Sequence, residues 1–458
     1  LTIDRTLEPR TAAKTHYGVE QKFLLWPSIR AQLRSKFVGD VVFLSASTAV
    51  AQAFTGLLAP LLTRLYSPSD LGSLALFTSF LGVASVGVTL KYELGIISAR
   101  TDAEAAWLTW ASILVCVPVS VICGGIMYGL LHFSYLGFGV LPRYAVALMV
   151  VTLVLTGTFI SLRYWAIREG RFGIIGRTVI SQQAGRSISQ TALGFLNPGA
   201  GGLFAGEFIG RIAGVTSLLR CAWPSLKNLG TNASWREITD ALHHNRTFAM
   251  YSVPSSLLDT ASANMIVPLL VQLYGSAAGG QFALVQSVVS LPMVLIAASV
   301  ADTFHNRLAL YSRQDPGKML QLFNRTTIGL LLVGLVPAAI LFISGERLFS
   351  FAFGKPWAVA GTLAAIVAPA FLAQVIVSPL SRLVFVLRGQ RSKLIYDIAL
   401  MISLLVTFQI ASRRGWSIVQ TVGAFTVVNT LGFVLYYLLL LHIILSARRL
   451  LPRTTGPN

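Results

Sequence analysis

The sequence predicts an all-α polytopic membrane protein, with about 12 transmembrane helices in two six-helix lobes related by a pseudo-two-fold axis along the membrane normal. Three observations lead there. The 458-residue chain is 54% hydrophobic and only 12% charged, with a mean hydropathy of +0.70, whereas soluble domains carry about 25% charged residues. Apolar segments of about 20 residues recur along nearly the whole length, each long enough to cross a hydrocarbon core of about 30 Å at 1.5 Å per residue. One 17-residue stretch is also written twice, as PLLTRLYSPSDLGSLAL at 60–76 and PLLVQLYGSAAGGQFAL at 268–284.

In chain order the predicted spans are 37–62, 71–97, 105–131, 144–166, 174–197, 200–221, 247–273, 278–303, 326–345, 357–387, 394–411 and 416–446. Such runs form helices, because lipid cannot satisfy backbone hydrogen bonds and the segments lack the alternation of barrel strands. A basic segment, 1–36, precedes them without an apolar signal-peptide core, so the first span is expected to direct insertion itself. The longest predicted connection, 222–246, separates an N-lobe (37–221) from a C-lobe (247–446), and a tail follows at 447–458.

Charge sets the orientation. Of the 36 Lys and Arg, 26 fall in the termini, alternate loops and adjoining span ends on one side, 6 on the other side and 4 deeper within spans. The positive-inside rule places both termini and the 222–246 linker in the cytoplasm. These membrane-edge cations account for the formal charge of +19, so no nucleic acid partner is expected.

The two copies of the repeat agree at 8 of 17 positions without a gap, among them Pro60/Pro268, Tyr66/Tyr274 and Gly72/Gly280. Each covers the outer end of one span, a short loop and the start of the next, in spans 1–2 and again in spans 7–8. Copies six helices apart share one orientation, which is the parallel-repeat plan of transporters that bind substrate between two halves.

Polar residues inside the spans mark where water or cargo would lie. Ser45, Thr48, Gln52 and Thr55 in span 1, and Ser252, Ser255, Asp259 and Ser262 in span 7, each follow i, i+3, i+7, i+10 spacing, which is one helical face. Span 5 adds Gln182, Arg186 and Ser189. Such stripes face either a cavity or a neighbouring helix. Among the ionisable groups, Lys91, Glu93, Arg382 and Asp397 lie near enough to a boundary to snorkel. Glu207 and Arg211 are an i,i+4 pair that can neutralise itself. Arg186 and Asp259 lie deeper, where an ion costs about 2.5–3.5 kcal/mol on insertion scales, so they are the first candidates for function. Pro254 and Pro268 in span 7, and Pro369 and Pro379 in span 10, are candidate hinges or static kinks.

Catalysis finds little support. There is no phosphate-binding G-x-x-x-x-G-K-[ST], since Gly317-Lys318 is followed by Met319 and Gly354-Lys355 by Pro356. Neither the 6 His nor the 3 Cys have metal-site spacing, so no catalytic residue, metal or cofactor is expected.

TRLYSPSDLGSLALFTSFLGVASVGVTLKYELGI, residues 63–96, resembles the helix 1–2 region of O-antigen (Wzx-like) flippases, polysaccharide exporters of the multidrug/oligosaccharidyl-lipid/polysaccharide (MOP) superfamily. SVPSSLLDTASANMIVPLLVQLYG (252–275) resembles the family's helix 7, and AFGKPWAVAGTLAAIVAPAFLAQVIVSPLSRLVFVLRGQR (352–391) its helix 10 region. The resemblance implies a MATE-like fold of two lobes around a V-shaped cavity in a bacterial inner membrane. It also implies alternating-access flipping of an undecaprenyl-diphosphate-linked oligosaccharide, with polysaccharide polymerase machinery and membrane lipids as partners. A lipid diphosphate needs cations around a wet cavity, for which Arg186, Arg211, Lys91 and Arg64 are the candidates, with Asp259, Glu207 and Gln52 for coupling or the polar cavity. Such flippases place cavity cations on helices 1, 2 and 8, whereas the deepest Arg here lie on spans 5 and 6. Two other transporter readings stand beside this one. A drug/cation antiporter of the same superfamily would use Asp259 with Glu207, and a lipid II flippase typically has two helices more than the 12 counted here. A membrane enzyme acting on lipid-linked sugars is the remaining alternative.

Overall fold

The turn between the first two helices shows how closely the sequence dictates local structure. Helix α1 (Glu20–Leu65) ends just before Ser67, which caps α2 (Pro68–Gly87) through a capping box. The Ser67 hydroxyl accepts from the Asp70 amide at 3.2 Å and the Asp70 carboxylate accepts from the Ser67 amide at 3.1 Å. Pro68 occupies the first turn, where its missing N–H loses nothing.

The computed structural model describes residues 20–230, 243, 250, 252–314, 316–387 and 389–450. Residues 1–19, most of the 222–246 linker and the tail from 451 lie outside the described residues. After α2 come α3 (Glu93–Ser98), α4 (Asp102–His132), α5 (Tyr144–Arg168), α6 (Phe172–Leu196) and α7 (Ala200–Gly230). The second half comprises α8 (Val253–Asn264), α9 (Ile266–Tyr274), α10 (Ser276–Gln314), α11 (Pro316–Phe353), α12 (Ala358–Leu380), α13 (Leu383–Val386), α14 (Gln390–Arg414) and α15 (Ile418–Leu450). Among the described residues there is no strand. Ten segments among the described residues are long and apolar enough to cross a membrane. Helix α6, of 25 residues and carrying Arg177 and Arg186, and α10, of 39 residues, correspond to predicted spans 5 and 8, which completes the 12.

Several boundaries differ from expectation. Helix α1 already begins at Glu20, inside the predicted 1–36 segment, and predicted span 10 ends at Leu380 before the separate α13. Span 2 is not one helix over 71–97, because the chain leaves α2 at Val88 and passes through Leu90 and Lys91 with φ of 49° and 61° before α3. Side chains tie down this left-handed turn and, further on, the end of α3. The Thr89 hydroxyl donates to the Glu93 carboxylate at 2.6 Å, and the Arg168 guanidinium donates to the Ile96 and Ala99 carbonyls at 2.9 Å. Span 7 is interrupted at Met265, between α8 and α9, since Pro268 has no N–H to give the carbonyl four residues earlier. Span 6 continues to Gly230, into the predicted linker.

Helices α1–α7 form one lobe and α8–α15 the other. A single apolar cluster joins them at one end, uniting Phe77 and Phe204 with Ile266, Phe282, Trp357 and Phe371. At the other end each lobe has its own core, one around Leu162, Trp165 and Leu218 and one around Leu308, Phe323 and Leu440. The lobes therefore share one core where the repeats lie and have separate cores toward the basic end, where α2 still meets α8 with Gly87 beside Val253.

The repeats themselves form that junction. A Cβ on Gly72 would lie 1.7 Å from the Ser276 carbonyl oxygen, and one on Gly280 would lie 1.9 Å from that of Pro68. The two equivalent glycines thus let α2 and α10 cross backbone to backbone. Their companion tyrosines each tie down their own lobe: Tyr66 donates to the Gln190 carbonyl at 2.7 Å, and Tyr274 to that of Trp416 at 2.9 Å. Two further bonds seal the same end. The buried Trp357 indole donates to the Thr63 carbonyl at 2.9 Å, and the Gly137 amide to the Gln272 side-chain oxygen at 2.6 Å.

Candidate functional site

The deep ions do not stand alone; each lobe gathers three of them. In the N-lobe, α6 supplies Arg186 and α7 supplies Glu207 and Arg211, one turn apart. Arg211 donates to one Glu207 oxygen through Nε at 3.2 Å and Nη2 at 3.1 Å. Arg186 Nε lies 3.1 Å from the other oxygen. The two helices come this close because Gly206 and Gly210 face α6, where any Cβ would run into Gln190 or Arg186. Glu207 is only 3% exposed, so its charge is held by the guanidiniums and not by water. Two cations on one carboxylate leave a net +1, beside a cavity of about 170 Å³ that Gln182 and Gln183 complete. The Arg186 contact is an ion pair without hydrogen-bond alignment, so Arg186 Nε and Glu207 Oε2 both remain buried without a hydrogen-bond partner.

The C-lobe carries the inverse. Lys393 of α14 bonds to Asp397 one turn on and lies 3.3 Å from Asp259 of α8. One cation between two acids leaves a net −1, at the wall of a cavity of about 380 Å³ that also exposes Gln286, Gln374 and Asn429 among Phe282, Met401 and Phe425. Asp259 is the open member of the group, with its side chain 68% exposed. Lys393 did not emerge from sequence reasoning, although its i,i+4 spacing to Asp397 is the signal that would have found it.

The remaining candidates do not join these clusters. Arg64 is exposed in the last turn of α1, and Lys91 is half-buried in the left-handed turn after α2. Gln52 is half-buried on α1. Along its stripe, Thr48 and Thr55 return their hydroxyls to the Leu44 and Ala51 carbonyls, as Ser262 does to Leu258; these groups are satisfied within their own helices. The Ser255 side chain lies outside the described residues. Pro254 sits in the first turn of α8, Pro369 lies inside α12, and Pro379 lies just before its end.

No family model matches the chain, and no curated protein matches it by sequence. Solved structures do match. The lipid II flippase MurJ, in an inward closed conformation, aligns over 87% of this chain and 90% of its own with a TM-score of 0.67 at 13% identity. An inward-facing multidrug resistance MATE family transporter of the MOP superfamily aligns over 90% and 99% with a TM-score of 0.59 at 12% identity. The eukaryotic MATE transporter AtDTX14 aligns over 90% and 99% with a TM-score of 0.55 at 14% identity. The fold is therefore that of MOP superfamily transporters, two lobes of six spans each, and the chain is a multi-pass membrane protein whose structural relatives are transporters.

Proposed function

We propose that the protein flips a polyprenyl-diphosphate-linked oligosaccharide across a bacterial inner membrane by alternating access, for surface polysaccharide assembly, with both termini cytoplasmic. The observation that carries this reading is the N-lobe cluster, in which two guanidiniums share a single buried carboxylate beside a polar cavity. A diphosphate is the ligand such a pair accepts best, because its oxygens match the planar donors of Arg and its charge exceeds that of Glu207. Because the two lobes have separate cores away from their glycine junction, they can part there to give the cargo head a route, while the polyprenyl tail stays in lipid. The cell interior is negative, so outward movement of each negative charge gains about 2.3 kcal/mol per 100 mV.

A drug/cation antiporter is the second reading, favoured by the two aspartates of the C-lobe cavity. Lys393 weighs against it, because its ammonium already lies between those carboxylates. The readings separate on deletion of the coding region. Loss of a surface glycan, with lipid-linked oligosaccharide retained on the cytoplasmic leaflet, is expected; unchanged glycan with raised sensitivity to cationic dyes would overturn the flippase reading.

A further inference from the structure

A further cavity lies in neither ion cluster. It occupies about 550 Å³ between α10 and α11 at the basic end of the C-lobe. Its wall on α11 runs Lys318, Gln321, Arg325, Gly329, Val333, offsets of 0, 3, 7, 11 and 15 that place all five on one helical face. From α10, Arg307 and Tyr311 complete the polar part. The chemistry is graded along the axis. Lys318 to Arg325 covers about 10 Å of charged wall at 1.5 Å per residue, and Gly329 to Val333 continues it with about 6 Å of apolar wall. Gly329 leaves this second part open, since a Cβ there would meet nothing within 4 Å. Beyond it Leu332, Val333 and Val336 are exposed, so the apolar half is continuous with the membrane-facing side of α11.

Cations at a membrane edge commonly extend into water and bind nothing. Here three of them converge on one cavity lined by no Asp or Glu among the described residues. Arg307 and Arg325 also have no ion-pair or hydrogen-bond partner among the described residues. A soluble anion would use the charged mouth and leave the apolar half unfilled. An oligosaccharide head would not fit a slot between two adjacent helices of one lobe. We propose that this cavity binds an anionic glycerophospholipid, its phosphate between Arg307 and Arg325 and one acyl chain along Gly329 and Val333. Basic pockets between membrane helices have this affinity in general. The inference concerns a resident lipid and holds whatever the transported cargo proves to be.

The test uses the purified full-length protein in detergent, with lipid adducts counted by native mass spectrometry and thermal unfolding followed in parallel. Phosphatidylglycerol should bind and raise the unfolding temperature more than phosphatidylcholine of the same chains. Arg307→Ala with Arg325→Ala should weaken phosphatidylglycerol binding about thirtyfold, at roughly 1 kcal/mol per cation, while Arg307→Lys with Arg325→Lys should keep most of it. Gly329→Trp, which retains every cation, should also reduce binding by filling the chain slot. Equal binding of the two lipids, or an unchanged preference in the double Ala variant, would overturn the proposal. So would displacement of phosphatidylglycerol by millimolar inorganic phosphate, which would mark a simple anion site, or by substoichiometric undecaprenyl diphosphate, which would make the cavity a cargo site.

Discussion

Glu207 fixes what can be asked of Arg186. With Arg211 as a second partner, removal of Arg186 leaves a balanced pair, so Arg186→Ala should unfold close to the parent temperature while losing export, and Arg186→Lys should keep part of it. Glu207→Ala leaves two guanidiniums facing each other and should destabilise by about 3 kcal/mol. Combining it with Arg186→Ala should recover only part of that, because Arg211 still lacks an acid. Thermal unfolding of the purified variants checks the stability order, and a Glu207→Ala protein as stable as the parent would show that the cluster holds nothing together. An Arg186→Ala protein that exports normally would shift attention to Arg211 and Lys91. At this scale the sequence marked the ions without their partners. The i,i+4 pairs are local, whereas Lys393 and Asp259 are 134 residues apart and no periodicity relates them.

For the helices, the sharpest consequence lies at the crossing of α2 and α10. Gly72→Ala puts a methyl group where the Ser276 carbonyl already lies, so the junction cannot close as it is. The variant should populate states in which that end is separated. Spin labels at Ser69 and Ala277, both exposed beside the crossing, should report a longer distance in Gly72→Ala than in the parent. An unchanged distance in a folded variant would show that the glycines do not set the approach. The repeat was fully legible in the sequence, but its identities alone did not reveal that the two copies touch each other. The same limit applies to span 2. Its apolar run reads as one helix, and the left-handed break at Leu90 and Lys91, bridged by the Thr89–Glu93 bond, shows only in the structure.

Across the whole molecule, the distribution of Lys and Arg predicts the orientation. With Cys116, Cys123 and Cys221 replaced, a single cysteine at Asn232 should react with a membrane-impermeant thiol reagent only after the cells are opened. Labelling of intact spheroplasts at that position would sink the twelve-span arrangement with cytoplasmic termini. The division into lobes has its own physical signature, one shared core at the glycine junction and two separate cores at the basic end.

The sequence by itself determined the membrane class, the number of spans and the two-fold plan, because each rests on the free energy of burying about 20 apolar residues in lipid and on a repeat visible letter by letter. It also placed Arg186, Glu207, Arg211 and Asp259 inside the bilayer. The tertiary structure decided which of these meet, gave the two lobes clusters of opposite sign, and brought Gly72 onto the start of α10. Those outcomes depend on how helices distant in sequence pack side by side. Hydropathy sums over a segment carry no information about its neighbours, so only the packed molecule settles them.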